Sequence, residues 1–186
     1  GFAGVGGSLS ANPLTAAYAD VAVVTTDAIG FSLASASIDL VIVQDTTTLT
    51  NKYTGLQASL DKAALVGITD LTFVASGSVQ INKGPVAGGR LDWSAVTGAG
   101  NELPGVTLTM DETLELSASG NVVVNAFGFV VAKGSFTLTK LSGVSIDDGA
   151  APVATFTANV LTLSTTLSGF AGVGGSLSAN PLTAAY

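Results

Sequence analysis

Thirteen carboxylates, six basic side chains, no histidine and no cysteine set the chemistry open to this chain of 186 residues. Without histidine the usual general base and the commonest transition-metal ligand are missing. Without cysteine neither thiolate chemistry nor a disulfide enters. What remains for catalysis is a pair of carboxylates brought together across the fold, and no spacing in the sequence signals one. Calcium is the cation to weigh, because hard cations take about six to eight oxygen ligands. Asp147-Asp148-Gly149 and Asp111-Glu112 place paired carboxylates in loops. Neither fits a calcium loop. Gly4-Val5-Gly6-Gly7 lacks the aspartate of the calcium-binding nonapeptide repeat, and no segment alternates Asp or Asn at EF-hand spacing. These acids are read as solvated loop carboxylates. No catalytic, cofactor-binding or metal-ligating residue is assigned, and a structural calcium ion stays open as the alternative.

Three further features have a binding reading and a plainer one. The same glycine run could cradle a phosphate, but no Lys-Ser or Lys-Thr follows it and the strand-to-helix context is missing, so a tight turn or close packing is preferred. Asp92-Trp93 holds the one tryptophan, between glycine-rich loops. It either stacks on a sugar or plugs the end of a core, and the second is the commoner use. Thr46-Thr47-Thr48 and the threonines from Thr162 to Thr166 resemble an ice-binding array only loosely. Their spacing is irregular, and threonine is a good strand former.

Composition narrows the class. Hydrophobic residues make up 47% and charged residues only 10%, against roughly 25% charged in ordinary soluble domains. Ser, Thr, Asn and Gly must therefore cover the surface. The net charge of −7 repels nucleic acid and anionic lipid. No signal peptide is visible, since the first residues lack a basic start and a continuous apolar stretch. No apolar run approaches the roughly 18 residues of a membrane-spanning helix.

The organising feature is a duplication. Residues 1–18 read GFAGVGGSLSANPLTAAY, and residues 169–186 read the same, an offset of 168 residues. Identity over eighteen positions, many of them freely variable Ser, Ala and Thr, means that the segment was copied. The expected organisation is one full tandem repeat over 1–168 and the start of the next over 169–186, with a two-copy protein or an engineered overlap as the alternative.

The elements that such a period would stack are strands. Leu71, Phe73, Ala75, Gly77, Val79 and Ile81 alternate with Thr72, Val74, Ser76, Ser78, Gln80 and Asn82, the signature of a half-buried strand. The pattern returns at Leu114 to Val124 and at Val130 to Leu138, separated by the turn-like Asn125-Ala126-Phe127-Gly128. Residues 114–138 therefore read as an antiparallel hairpin. Further strands are expected at 20–25, 30–43, 106–110, 153–166 and 170–178. From Thr54 to Val66, Leu56, Leu60 and Ala64 are spaced by fours and Thr54 with Gln57 could form a capping box, which admits one short helix. The apolar faces carry Ala or Gly at mid-strand: Ala75 and Gly77, Ala118 and Gly120, Ala132 and Gly134. Repeated glycine there marks a bend or a close approach of backbones. Ser37, Ser78, Asn121, Ser135 and Ser176 suggest smaller units of about 42 residues.

The segments LVGITDLTFVASGSVQIN (65–82) and LELSASGNVVVNAFGFVVAKGSFTLTK (114–140) resemble the β-rich repeat tracts of giant bacterial surface or secreted proteins, adhesin-like chains of many tandem copies. The resemblance covers about half of the chain and carries no catalytic residue. It implies an extracellular or cell-surface, structural or adhesive role, with partners that are further copies of itself or a glycan. Together these readings predict an all-β fold: an elongated β-solenoid-like stack of tandem repeats with antiparallel hairpins, or alternatively end-to-end β-sandwich modules. Eight rungs at ~4.8 Å would make a period roughly 40 Å long.

Overall fold

The computed structural model describes residues 2–8, 23–85, 89–96, 103, 105–150 and 154–176, with the backbone alone for 2–8 and 23–28. Seven strands follow one another: β1 (Phe2–Ser8), β2 (Val23–Gln44), β3 (Lys52–Val66), β4 (Leu71–Lys83), β5 (Leu114–Ala126), β6 (Val130–Asp147) and β7 (Thr155–Ala171). They lie side by side in that order in one sheet. Every neighbouring pair is antiparallel. The fold is thus all-β, an open up-and-down meander not closed into a barrel. Among the described residues there are neither parallel rungs nor a second, facing sheet. No helix of the described residues is long and apolar enough to cross a membrane.

Several expected boundaries move. Residues 23–25 and 30–43 merge into the single strand β2, and the strand expected at 153–166 starts at Thr155 and extends to Ala171, with 20–22 and 153 outside the described residues, while Val106–Met110 carries no strand. The stretch that admitted a helix is β3. There Leu56 pairs with Leu40 and Ile81, and Ala58 with Ile38 and Val79, so the sheet on both sides overrides the spacing by fours. The one helix among the described residues, α1 (Trp93–Val96), is a single turn in the connection between β4 and β5. The hairpin of residues 114–138 is found as read. Its turn places Phe127 and Gly128 at φ 54° and 69°, and the Phe129 N–H donates to the Ala126 carbonyl at 2.9 Å. Positive φ at both central residues matches the right-handed twist of the strands it joins.

Alternation sorts the strands into two faces. Following the registers across the sheet, Leu40, Leu56, Ile81 and Leu116 oppose one another on one face, and so do Ile38, Ala58, Val79, Ala118, Leu138 and Leu163. On the other face runs a row of hydroxyls, Ser37, Ser59, Ser78, Ser119, Thr137 and Ser164. Ser37 and Ser59 are hydrogen-bonded at 2.8 Å, and Ser78 and Ser119 at 2.9 Å. The spacing of about 42 residues between Ser37 and Ser78 is therefore two strands of the meander. Asn121 and Ser135 belong to the neighbouring row, with Ser76 and Thr166.

The mid-strand glycines also find their reason. Gly77 lies opposite Gly120, and a Cβ on Gly77 would sit 2.6 Å from the Ser119 carbonyl oxygen. Phe136 folds over Gly120 and Leu167 over Gly134, each from the adjoining strand. Large side chains thus lean into a glycine trough across the centre of the apolar face.

Candidate functional site

Trp93 is the centre of the one buried hydrophobic cluster among the described residues. The described residues between β4 and β5 fold back over the polar face at one end of the sheet, and Trp93, Leu108 and Met110 pack there against Val41, Val43, Tyr53 and Leu114. Trp93 is 0% exposed. Gly55 makes the room, since a Cβ on it would meet Leu108 at 2.5 Å and the indole at 2.7 Å. The indole Nε1 donates to Asn82 Oδ1 at 2.8 Å, and Asn82 Nδ2 donates to the Leu91 and Asp111 carbonyls at 2.8 and 2.7 Å. Asn82 is itself wholly buried, and its bonds meet the need of a buried amide for partners. Thr109 adds a second fastening, accepting from Gln80 Nε2 at 3.1 Å and donating to Gln57 Oε1 at 3.0 Å. Trp93 is a plug and not a sugar platform.

The loop carboxylates hold turns. Asp111 Oδ1 accepts the Thr113 hydroxyl at 2.7 Å, the Thr113 N–H at 2.8 Å and the Leu114 N–H at 3.0 Å, which fixes the entry into β5. The Thr113 hydroxyl and then the Leu114 N–H hold this carboxyl below its ordinary pKa. Asp45 does the same at the β2–β3 turn for the N–H groups of Thr47 and Thr48, with the same downward shift. Asp147 and Asp148 accept from Gly149 N and Ala150 N. Among the described residues no three His, Cys, Asp or Glu side chains converge on a point that could hold a metal ion. The threonines of 46–48 lie in the β2–β3 turn and those of 162–166 within β7. The glycine run Gly4–Gly7 lies within β1.

These shifts carry a pH dependence. A carboxyl whose pKa is lowered by folding stabilises the fold above the unfolded carboxylate range, and that contribution is lost as pH falls through the folded value. The melting temperature is therefore expected to fall on acidification below about pH 4. Asp111→Asn should lower the unfolding free energy at pH 7 by about 1 kcal/mol once solvent screening is allowed for, and shrink the drop in melting temperature between pH 7 and pH 3. Calorimetry at the two pH values measures both, and an unchanged acid drop in the variant would contradict the role of Asp111.

Two surfaces remain as candidates. A cleft of about 460 Å³ is lined by Lys83, Arg90, Glu115 and Lys140. Three of these four charges, Arg90, Glu115 and Lys140, are engaged within the fold. Arg90 donates to the carbonyls of Glu112, Thr113 and Ser142, and Lys140 pairs with Glu115. Glu115, which also accepts from Ser142, is held below its ordinary pKa chiefly by Lys140. The cleft braces the start of β5 against β6.

The second surface is the apolar face with its two edges. Phe31, Ile38, Leu40 and Ile42 on β2, Phe136 on β6, and Leu161, Leu163 and Leu167 on β7 are all exposed, Ile38 to 74% and Leu167 to 80%. A groove of about 270 Å³ runs through its glycine trough between Phe136 and Leu167. Sheets that bury one face need a second layer, and an exposed apolar patch of this extent marks an interaction surface. Periodicity identified the apolar residues of this face, but not that they stay exposed, because alternation shows which side chains share a side and not what covers it. The edges are β1 and β7, and the duplicated segment forms β1 at one and the end of β7 at the other. The chain matches no protein-family model, no curated protein and no solved structure.

Proposed function

We propose that this chain is one period of an extended structural protein, a filament, stalk or surface element outside the cell, built by repetition of the antiparallel sheet. One observation carries the reading: the duplicated segment forms β1 at one open edge of the sheet and the last three residues of β7, 169–171, at the other. The strands from β2 to β7 are six, an even number, so β1 and β7 run in the same direction, as two copies of one strand in a repeating meander must. The low charge and the Ser and Thr rows of the polar face suit a surface that packs against its like. The apolar face takes the corresponding face of a second ribbon as its missing layer, at the ~10 Å distance usual between stacked sheets.

The exposed apolar groove favours a second reading, in which this face takes up acyl chains. The adhesive reading loses the residue that suggested it, because Trp93 is buried. Electron microscopy of a chain of several periods, with and without a fluorescent fatty acid, separates these functions. Uniform ribbons that pair and exclude the probe are expected. Unpaired ribbons that bind it would favour the acyl-chain reading, and isolated beads would overturn the structural one.

A further inference from the structure

We propose that the outer edge of β7 is the docking edge for β2 of the following copy, which adds to it as an antiparallel strand in a defined register and makes successive periods one uninterrupted sheet. The proposal rests on the structural-repeat reading and adds to it the interface and its partner.

The register is already displayed at the other end of the chain. In β1, Phe2 lies opposite Ser32, Ala3 opposite Phe31 and Gly4 opposite Gly30. Phe170 and Ala171, the copies of Phe2 and Ala3, close β7. Carried over, Phe170 faces Ser32 of the next copy and Ala171 faces its Phe31. The faces agree. Ala171 lies opposite Val130, on the apolar side to which Phe31 belongs, and Phe170 lies opposite Val131 on the polar side with Ser32.

Lengths agree as well. The β1 ladder ends at Ser32, whereas β2 continues for another twelve residues to Gln44. β7 runs back from Phe170 to Thr155, far enough to accompany it. Between Leu33 and Ala36 the apolar residues of β2 change from odd to even positions, a shift that β3 shares between Ala63 and Leu60 and that makes one extra residue against the regular alternation of β4. Keeping apolar residues on one side then places Leu163 beside Leu40 and Leu161 beside Ile42. These exposed leucines and isoleucines would cover one another across the joint, and the open backbone groups of both edges would be paired.

The two copies of the segment also differ in the manner this joint requires. Phe2–Ser8 is strand throughout, beside β2. In the second copy the strand ends at Ala171 and residues 172–174 bend, with the Gly172 and Gly175 N–H groups donating to Phe129 and Gly128 carbonyls at the β5–β6 turn. The same sequence is strand beside β2 and bent beside the β5–β6 turn, so it takes either form according to its neighbours.

A chain of two periods tests this, and the absence of native cysteine makes cross-linking clean. Leu163→Cys in the first period with Leu40→Cys in the second should form a disulfide on mild oxidation, as should Leu161→Cys with Ile42→Cys. Yields should exceed by at least about tenfold that of Leu163→Cys with Phe31→Cys, which the register holds beyond disulfide reach. In the two-period chain without substitutions, the amides of the internal 172–176 segment should exchange as slowly as those of β6, so the test survives a variant that fails to fold. A cross-link from Leu163 to Leu40 of its own period, showing a closed sheet, would overturn the proposal. So would fast exchange in the internal segment. Ribbons in the microscope with Leu163 linked elsewhere would remove the register and leave the structural reading, whereas separate beads with no cross-link would remove both.

Discussion

Trp93→Ala is expected to lower the unfolding free energy by about 3–5 kcal/mol, the range for removing a large aromatic side chain from a packed site. The indole is fully buried and rests on Gly55, where any side chain would collide with it. Its loss leaves a cavity among Leu108, Met110, Val43 and Tyr53, and it strands Asn82 Oδ1. Trp93→Phe separates the two effects. It restores most of the apolar area but leaves the amide oxygen unpaired, at a cost of about 1–3 kcal/mol. Urea unfolding followed by circular dichroism measures both. A loss below about 1 kcal/mol for the alanine variant would show that the 84–113 connection is an ornament on a sheet that does not need it.

Gly77→Val should cost about 3 kcal/mol, at the upper end of the range for overpacking. The new Cβ would lie 2.6 Å from the backbone carbonyl of Ser119, and a backbone in mid-sheet cannot yield as a side chain can. Gly134→Ala is the comparison. Its Cβ meets the Leu167 side chain at 2.5 Å, but Leu167 is 80% exposed and free to swing away, so the cost should stay below about 1 kcal/mol. Equal costs at the two positions would mean that the glycine trough serves something other than backbone approach.

Much of the sheet was legible because alternation needs no tertiary knowledge. Leu71 to Asn82 and Leu114 to Leu138 alternate cleanly, and the structure makes them β4 and the β5–β6 hairpin. Lys52–Val66 misled because Leu56, Leu60 and Ala64 fit a helix spacing as well as a strand. That ambiguity is settled only by β2 and β4 on either side. Val106–Met110 looked like a strand for the same β-rich composition, yet Leu108 and Met110 are core residues of an irregular cover. Trp93 was assigned two roles from sequence, and only its contacts with Gly55 and Asn82 choose between them. No spacing in the sequence could show that Asn82, about ten residues before Trp93, would hold both the indole and the returning Asp111 carbonyl.

The duplication gains the most from the structure. As sequence it established copying. In the sheet its copies stand at both edges, one strand direction and six strands apart. Six strands at ~4.8 Å make a step of about 29 Å per period, shorter than the roughly 40 Å expected of stacked parallel rungs, because the described residues between β4 and β5 go into the Trp93 cover instead of the ladder. Imaging chains of one, two and four periods measures that step directly. The account predicts ribbons of constant width whose length grows by about 29 Å with each added period. Beads joined by linkers, or particles that grow in number and not in length, would contradict it.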